Sequence, residues 1–245
     1  MKTALITGVS GGIGKATAKK FIDNGYFVIG QYNSNKKSVD DFYLELEKEN
    51  KSDYFFAVKA DLNDSNEISK MMDTIEKSFK HLSALINNAG ISLTKLITDT
   101  TEKEWENVFS VNLKSAYLIT NRVLKGMIES KRGKIVNVSS MWGINGSSME
   151  VAYSSAKAGL IGYTKALAKE VGYSGINVNC VCPGVIDTPM NKHLSAEDID
   201  ELKEQTPLYR IGKPEDVVNL IYYLGSDDAD FITGQVVSVD GGFAL

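Results

Sequence analysis

The stretch that decides the fold is Thr3-Ala-Leu-Ile-Thr7, which runs without a break into Gly8-Val-Ser-Gly11-Gly12-Ile-Gly14-Lys15. An apolar run of strand length ends on a glycine turn, and an amphipathic pattern over Gly12–Asn24 then reads as a helix. Glycines in such a turn permit positive φ and let a phosphate approach the free N–H groups at the helix start. A plain turn needs one or two glycines, whereas this one carries Gly8, Gly11, Gly12 and Gly14. A strand before and a helix after is the context a dinucleotide fingerprint requires. Gly8, Ser10, Gly11, Gly12, Ile13 and Gly14 are therefore candidate phosphate-binding positions.

Outward from this turn, apolar runs alternate with amphipathic stretches to the end of the chain. The spacing predicts strands at Thr3–Thr7, Tyr26–Tyr32, Tyr54–Val58, Ala84–Asn87, Lys134–Ser139, Asn177–Cys182 and Val236–Val239. It predicts helices at Gly12–Asn24, Ser65–Phe79, Trp105–Ser130, Val151–Gly172 and Glu215–Leu224. That alternation is the signature of an α/β fold, a Rossmann-type doubly wound parallel β-sheet with helices on both faces. No repeat or Pro/Gly-rich linker interrupts it, so one dinucleotide-binding domain over residues 1–245 is expected, with a substrate-loop insertion around 188–210.

A chain of 245 residues, 43% hydrophobic, can bury a full core. A net charge of -4 leaves no basic excess to neutralise phosphates, which argues against nucleic acid. No apolar stretch is long enough to span a bilayer and the opening residues carry no signal-peptide core, so a soluble cytoplasmic protein is expected. Cys180 and Cys182 are too few for a disulfide scaffold and share one face of a strand, where buried free thiols are expected. No metal site is expected.

Ligands of open α/β sheets bind beyond the carboxyl ends of the strands. Asp61 and Leu62 follow the third strand, and Asn87-Asn88-Ala89-Gly90 follows the fourth. Asp61 either accepts from an adenine amino group or caps the next helix, although Asp64 and Ser65 are better placed to cap. Asn88, Ala89 and Gly90 would let backbone approach a ribose; Asn87 suits a strand-ending turn equally well. Asn112, on the inward side of a helix, either satisfies backbone or belongs to a polar site. Ser140 either closes a turn or donates to a substrate carbonyl.

Tyr153-Ser-Ser-Ala-Lys157 places a phenol and an ammonium on one helix face. A cation about 4 Å from the hydroxyl, at an effective dielectric of about 20, favours the phenolate by roughly 4 kcal/mol. That would lower a tyrosine pKa of about 10 by about 3, into the range useful for general acid–base work. Alone the spacing is weak evidence, since a core tyrosine beside a solvated lysine is the commoner source of this pattern.

Taken together, the Thr7–Gly14 loop, Asn-Asn-Ala-Gly at 87–90, Asn112, Ser140, Tyr153 and Lys157 resemble the short-chain dehydrogenase/reductase family over essentially the whole chain. Pro183-Gly184 leading to Ile186 and Thr188, Gly212-Lys-Pro-Glu-Asp216-Val, and the closing Val239-Asp-Gly-Gly242 continue the resemblance. Within the family the pattern is most similar to 3-oxoacyl-[acyl-carrier-protein] reductases. The resemblance implies that Tyr153 protonates a carbonyl oxygen held by Ser140 as hydride arrives from a nicotinamide. It implies that Lys157 lowers the Tyr153 pKa and binds ribose, and that Asn112 keeps a water in the proton relay. Ile186 and Thr188 would grip the carboxamide.

Family members that prefer NAD carry an acid at the end of the second strand. No acidic residue occurs here between Gly25 and Val39; Asn33 and Ser34 can donate to a 2′-phosphate, with Lys36 or Lys37 offsetting its charge. NADP(H) is expected over NAD(H), although Gly11 stands where many NADP users have arginine. Met190, Leu194, Leu202 and Leu208 give the 188–210 region an apolar side, as for a lid over substrate. His193 is expected to sit on the surface without touching substrate, and His81 to be structural. An acyl-carrier-protein partner calls for a basic patch near the pocket; Lys131, Arg132 and Lys134 are candidates, although Ser174 replaces a second expected arginine. Small residues along 158–168, with the stripe Leu160, Tyr163, Leu167 and Val171, suggest a second helix and, from the resemblance, a homotetramer. The expected function is NADP(H)-dependent reduction of a 3-oxoacyl thioester in fatty-acid biosynthesis. Alternatives are reduction of a sugar, steroid or other small carbonyl, and a non-catalytic dinucleotide sensor.

Overall fold

The computed structural model describes residues 1–192 and 194–244; the expectation for His193 lies outside them. Seven strands form one parallel sheet: β1 (Thr3–Thr7), β2 (Phe27–Tyr32), β3 (Phe55–Lys59), β4 (Ala84–Asn87), β5 (Gly133–Val138), β6 (Ile176–Pro183) and β7 (Val236–Val239). Each lies within one residue of its expected bounds. Their order in the sheet is β3-β2-β1-β4-β5-β6-β7. The winding reverses between β1 and β4, and there a crevice opens at the carboxyl ends of the strands.

Side-chain alternation along the strands builds the two layers. Ala4 and Ile6 of β1, Val28 of β2, and Ala84 and Ile86 of β4 enter one core. Helices α1 (Gly12–Asp23), α2 (Lys36–Lys48) and α9 (Pro214–Gly225) cover that core through Ala18 and Phe21, Val39 and Phe42, and Val217 and Ile221. Leu5, Ile29, Leu85 and Ile135 point the other way, beneath α3 (Ser65–Ser78), α5 (Ser115–Ser130) and α7 (Val151–Val171).

Two departures bear on the site. The helix expected over Trp105–Ser130 is α4 (Glu102–Phe109) and α5 joined through a π-helical turn at Ser110–Lys114, which contains Asn112. A local extra residue of this kind re-aims the side chains around it. Helix α2 leaves little apolar pattern in the sequence, because only Val39, Phe42 and Leu46 of its thirteen residues are buried. The 188–210 region contains a short helix, α8 (Ala196–Glu204), capped by Ser195, whose hydroxyl accepts from the Asp198 amide.

Candidate active site

The glycine loop is held shut against the β4 end. Thr7 Oγ1 accepts from the amides of Asn88 and Ala89, both at 3.0 Å, and Asn88 Nδ2 donates to Thr7 O at 2.9 Å. Closure this tight dictates residue types. Gly8 sits at φ +74, and a Cβ there would lie 2.9 Å from Ala89 Cα; a Cβ on Gly14 would lie 2.1 Å from Gly8 O. A Cβ on Gly12 would meet Thr188 at 2.7 Å, so the segment after β6 lies directly over the loop. Gln31, which sequence reasoning missed, accepts from the Gly8 amide at 2.9 Å and donates to Ala60 O at 2.8 Å. Its only signal in the sequence was a polar residue inside an apolar strand.

No side chain caps the amino end of α1 and no acid lies in its first turn. Side chains do cap α2, α3, α4 and α8. Free N–H groups and the helix dipole therefore remain for an anion, and a dinucleotide pyrophosphate fits this cradle. Gly8, Ser10, Gly11, Gly12, Ile13, Gly14, Asn33, Asp61, Leu62, Asn88, Ala89 and Gly90 line one cleft of about 300 Å³, together with Ser140, Tyr153, Lys157, Ile186 and Thr188. Asp64 caps α3, while Asp61 accepts from the Asn63 amide and still faces the cleft. Ser34 and Asn112 are not in the lining. Lys36 pairs with Asp40 at 2.7 Å on the exposed surface.

At the other end of the cleft, β5 delivers Ser140 and α7 delivers Tyr153 and Lys157. Ser139 Oγ donates to Lys157 O at 2.8 Å, pinning helix to strand. The Ser140 hydroxyl accepts from the Trp142 amide at 3.2 Å, and Ser140 and Tyr153 line the same end of the cleft. Lys157 Nζ donates to Val138 O at 2.8 Å and lies 5.7 Å from the centre of the Tyr153 ring. A Cβ on Gly90 would stand 2.6 Å from Asn112 Oδ1 and 3.3 Å from Lys157 Nζ, so only glycine lets the three meet.

Two expectations about these groups are corrected. Tyr153 is not brought towards neutrality: burial pushes its pKa up to about 12, against a smaller lowering effect of the nearby Ser140 hydroxyl. The ammonium expected to help it is turned to a backbone carbonyl, and burial lowers Lys157 itself to about 8. In the protein alone, Tyr153 is a protonated donor at neutral pH. Asn112 spends both amide atoms on backbone, accepting from Ile91 N at 3.0 Å and donating to Ile91 O at 2.9 Å. Of the alternatives open for it, the backbone-satisfying one is realised.

The basic patch is also displaced. Lys131, Arg132 and Lys134 lie at the amino end of β5, across the sheet from Ser140. Arg132 pairs with Asp227, and Lys134 is buried against Asn177 and Asp230. Within one chain this is not a docking patch near the pocket. The stripe Leu160, Leu167 and Val171 is buried against the chain's own core. Cys180 and Cys182 are buried free thiols, as expected, with sulfurs 4.0 Å apart.

A family model described as enoyl-(acyl carrier protein) reductase matches residues 8–244. The 3-oxoacyl-[acyl-carrier-protein] reductase of Thermotoga maritima is 38% identical over 100% of this chain and 98% of its own length. The chain belongs to the short-chain dehydrogenase/reductase family. As a member it is an NAD(P)-dependent oxidoreductase acting on CH–OH or C=O groups. The reductases of the same name from Chlamydia trachomatis, 38% identical over 99% of this chain and 97% of that one, and Staphylococcus aureus, 36% over 100% and 98%, are similar to this short-chain dehydrogenase/reductase. A crystal structure of a candidate gluconate dehydrogenase from Agrobacterium tumefaciens superposes with a TM-score of 0.93 at 31% identity, covering 99% of this chain and 96% of that one. No helix among the described residues is long and apolar enough to cross a membrane.

Proposed function

We propose that this enzyme reduces a 3-oxoacyl thioester, carried on acyl carrier protein, to the 3-hydroxyacyl form with NADP(H), as a step of fatty-acid biosynthesis. The observation that carries the reading is the Ser140–Tyr153 hydroxyl pair at the end of the dinucleotide cleft, with Tyr153 protonated. A carbonyl oxygen that becomes an alkoxide needs one group to hold it and another to give it a proton. Ser140 does the first and Tyr153 the second. The α1 amino end and loop residues Gly8–Gly14 hold the pyrophosphate. Asn88–Gly90 and Lys157 hold ribose, Ile186 and Thr188 the carboxamide, and Asp61 and Leu62 the adenine. The nicotinamide, when bound, supplies the hydride.

NADP(H) is favoured by the lack of an acid after β2 and by Asn33 facing the cleft, with Lys36 or Lys37 of the exposed α2 start to offset a 2′-phosphate. Two buried free thiols suit the reducing cytoplasm. Ala158, Gly162 and Ala166 form an exposed small-residue face on α7, and Tyr117 of α5 is half-exposed; both support a homotetramer built on those helices.

One observation favours a second reading, a small uncharged carbonyl as substrate. Helix α8, which continues from the cleft-lining segment at 189–191, carries Glu197, Asp198, Asp200, Glu201 and Glu204 against Lys203. Such a surface repels an acidic carrier protein. The test is kcat/KM with NADPH for acetoacetyl thioesters of carrier protein and of coenzyme A, a crotonyl thioester, and a panel of free ketones and sugars. The proposal expects the 3-oxo thioesters to lead by at least about tenfold, with no reduction of the crotonyl double bond. A free carbonyl leading by that margin overturns it in favour of the second reading.

A further inference from the structure

The closing Val239-Asp-Gly-Gly242 run takes no part in cofactor binding as described, yet it is built with care. Gly241 and Gly242 sit at φ +68 and +89, which an L side chain would resist. The Asp240 carboxylate accepts from the amides of Gly242 at 3.0 Å and Ala244 at 3.2 Å, folding the tail into a turn. That turn is locked to the catalytic side of the sheet. Gly184 donates to Val239 O at 3.0 Å, and a Cβ on Gly184 would lie 2.7 Å from Asp240 Cα. Pro183 O in turn accepts from the Met141 amide at 2.9 Å, one residue beyond Ser140.

The turn aims Phe243 at Trp142. Their rings meet edge to face, 5.5 Å between centres and 83° between planes. Trp142 also donates its amide to Ser140 Oγ, and its ring packs on the cluster of Val108, Ala152, Tyr153 and Ala156. Trp142 thus borders both groups that would hold a carbonyl, and Phe243 borders Trp142, just outside the lining of the dinucleotide cleft. Both rings are only half-buried, so they present apolar surface to whatever chain extends from that carbonyl.

We propose that Phe243, delivered by the C-terminal tail, and Trp142 form the wall that sets the length of carbon chain accepted, making both specificity-determining residues. The pair favours short chains, because two interlocked rings occupy the space a longer chain needs. This deepens the 3-oxoacyl reading and rests on it for the identity of the head group.

The experiment measures kcat/KM for acetoacetyl-CoA and 3-oxodecanoyl-CoA in the wild type, Phe243→Ala, Trp142→Val and the double variant. The same ratio is taken for a short and a long free 2-ketone, and the KM for NADPH is measured throughout. Pocket discrimination in enzymes runs from about tenfold to about 200-fold per methylene-sized contact. Each single variant is expected to raise the long-to-short ratio about tenfold, with the NADPH KM within about twofold of wild type. The double variant should gain less than the product, because the two rings share one contact. An unchanged ratio in both single variants, on both substrate types, overturns the wall. Because the ratio compares two substrates on one preparation, partial loss of folded enzyme cancels. Wild-type failure on both thioesters with turnover of ketones overturns the head group, and the ketone ratio then still decides the wall.

Discussion

Two lysines at opposite ends of the sheet, Lys134 and Lys157, are each about 3% exposed. Lys134, at the amino end of β5, meets Asn177 Oδ1 at 2.8 Å and Asp230 Oδ1 at 2.5 Å. Lys157, in the cleft at the carboxyl ends, meets a single backbone carbonyl and forms no ion pair among the described residues. Burying a charge without a counter-charge is costly, and the pKa of Lys157 falls to about 8 as a result. The difference teaches where the fold serves itself and where it serves a ligand. One ammonium completes the structure; the other is kept available for polar groups that the chain itself does not supply.

Substitution by methionine breaks the comparison most sharply. Lys157→Met should cut kcat/KM by about a hundredfold or more, the scale for removing one electrostatic group from a site. The same variant should leave the ligand-free protein more stable at pH 7, by up to about 3 kcal/mol for a pKa lowered from 10.5 to about 8. The sign follows from proton counts: between pH 8 and 10.5 the unfolded lysine is protonated and the folded one is not. Wild-type stability therefore rises with pH across that window, and the variant lacks this rise. Urea melts from pH 7 to 10 check it; a destabilised Lys157→Met at pH 7 would contradict it. Lys134→Met should do the reverse, losing about 1–3 kcal/mol by stranding the Asn177 acceptor, with kcat within about twofold. The low end is expected, because Asp230 is 70% exposed and water can solvate it.

Asn112 sharpens the contrast, since its amide serves the backbone of Ile91 and so groups with Lys134. Asn112→Ala should lower stability by about 1–3 kcal/mol, and activity should fall only as far as Gly90 and Ile91 shift. Lost turnover with an unchanged melting temperature would restore the proton-relay role. The smallest effect belongs to Lys37, exposed at the start of α2. Lys37→Glu should lower kcat/KM for NADPH a few-fold and leave NADH within about twofold; equal losses for both would argue against a 2′-phosphate there.

The same contrast explains what the sequence made legible. Strands β1 to β7 follow from apolar runs bounded by turns, and Gly8, Gly12 and Gly14 follow from the closeness of the backbones around them. Tyr153 and Lys157 share a face because helices repeat every 3.6 residues. Rotamers and partners carry no such period. Nothing in Tyr153-Ser-Ser-Ala-Lys157 says that Lys157 turns to Val138 O, nor that burial outweighs the cation at Tyr153. The π-turn at Ser110–Lys114 is likewise silent, because it adds no turn residue. The docking patch failed for a different reason: Lys131, Arg132 and Lys134 precede or open β5, which puts them at its amino end, while the cleft opens at the carboxyl ends.

The central claim is that Tyr153, which is also a candidate cofactor contact, matters first as the proton donor. The measurement is NADPH oxidation with acetoacetyl-CoA in Tyr153→Phe, with NADPH binding followed by fluorescence on the same preparation. The account predicts turnover down by about 10²–10⁴-fold, the range for a positioned general acid, and a dissociation constant within about threefold of wild type. Near-normal turnover, or NADPH binding lost in step with turnover, would contradict it.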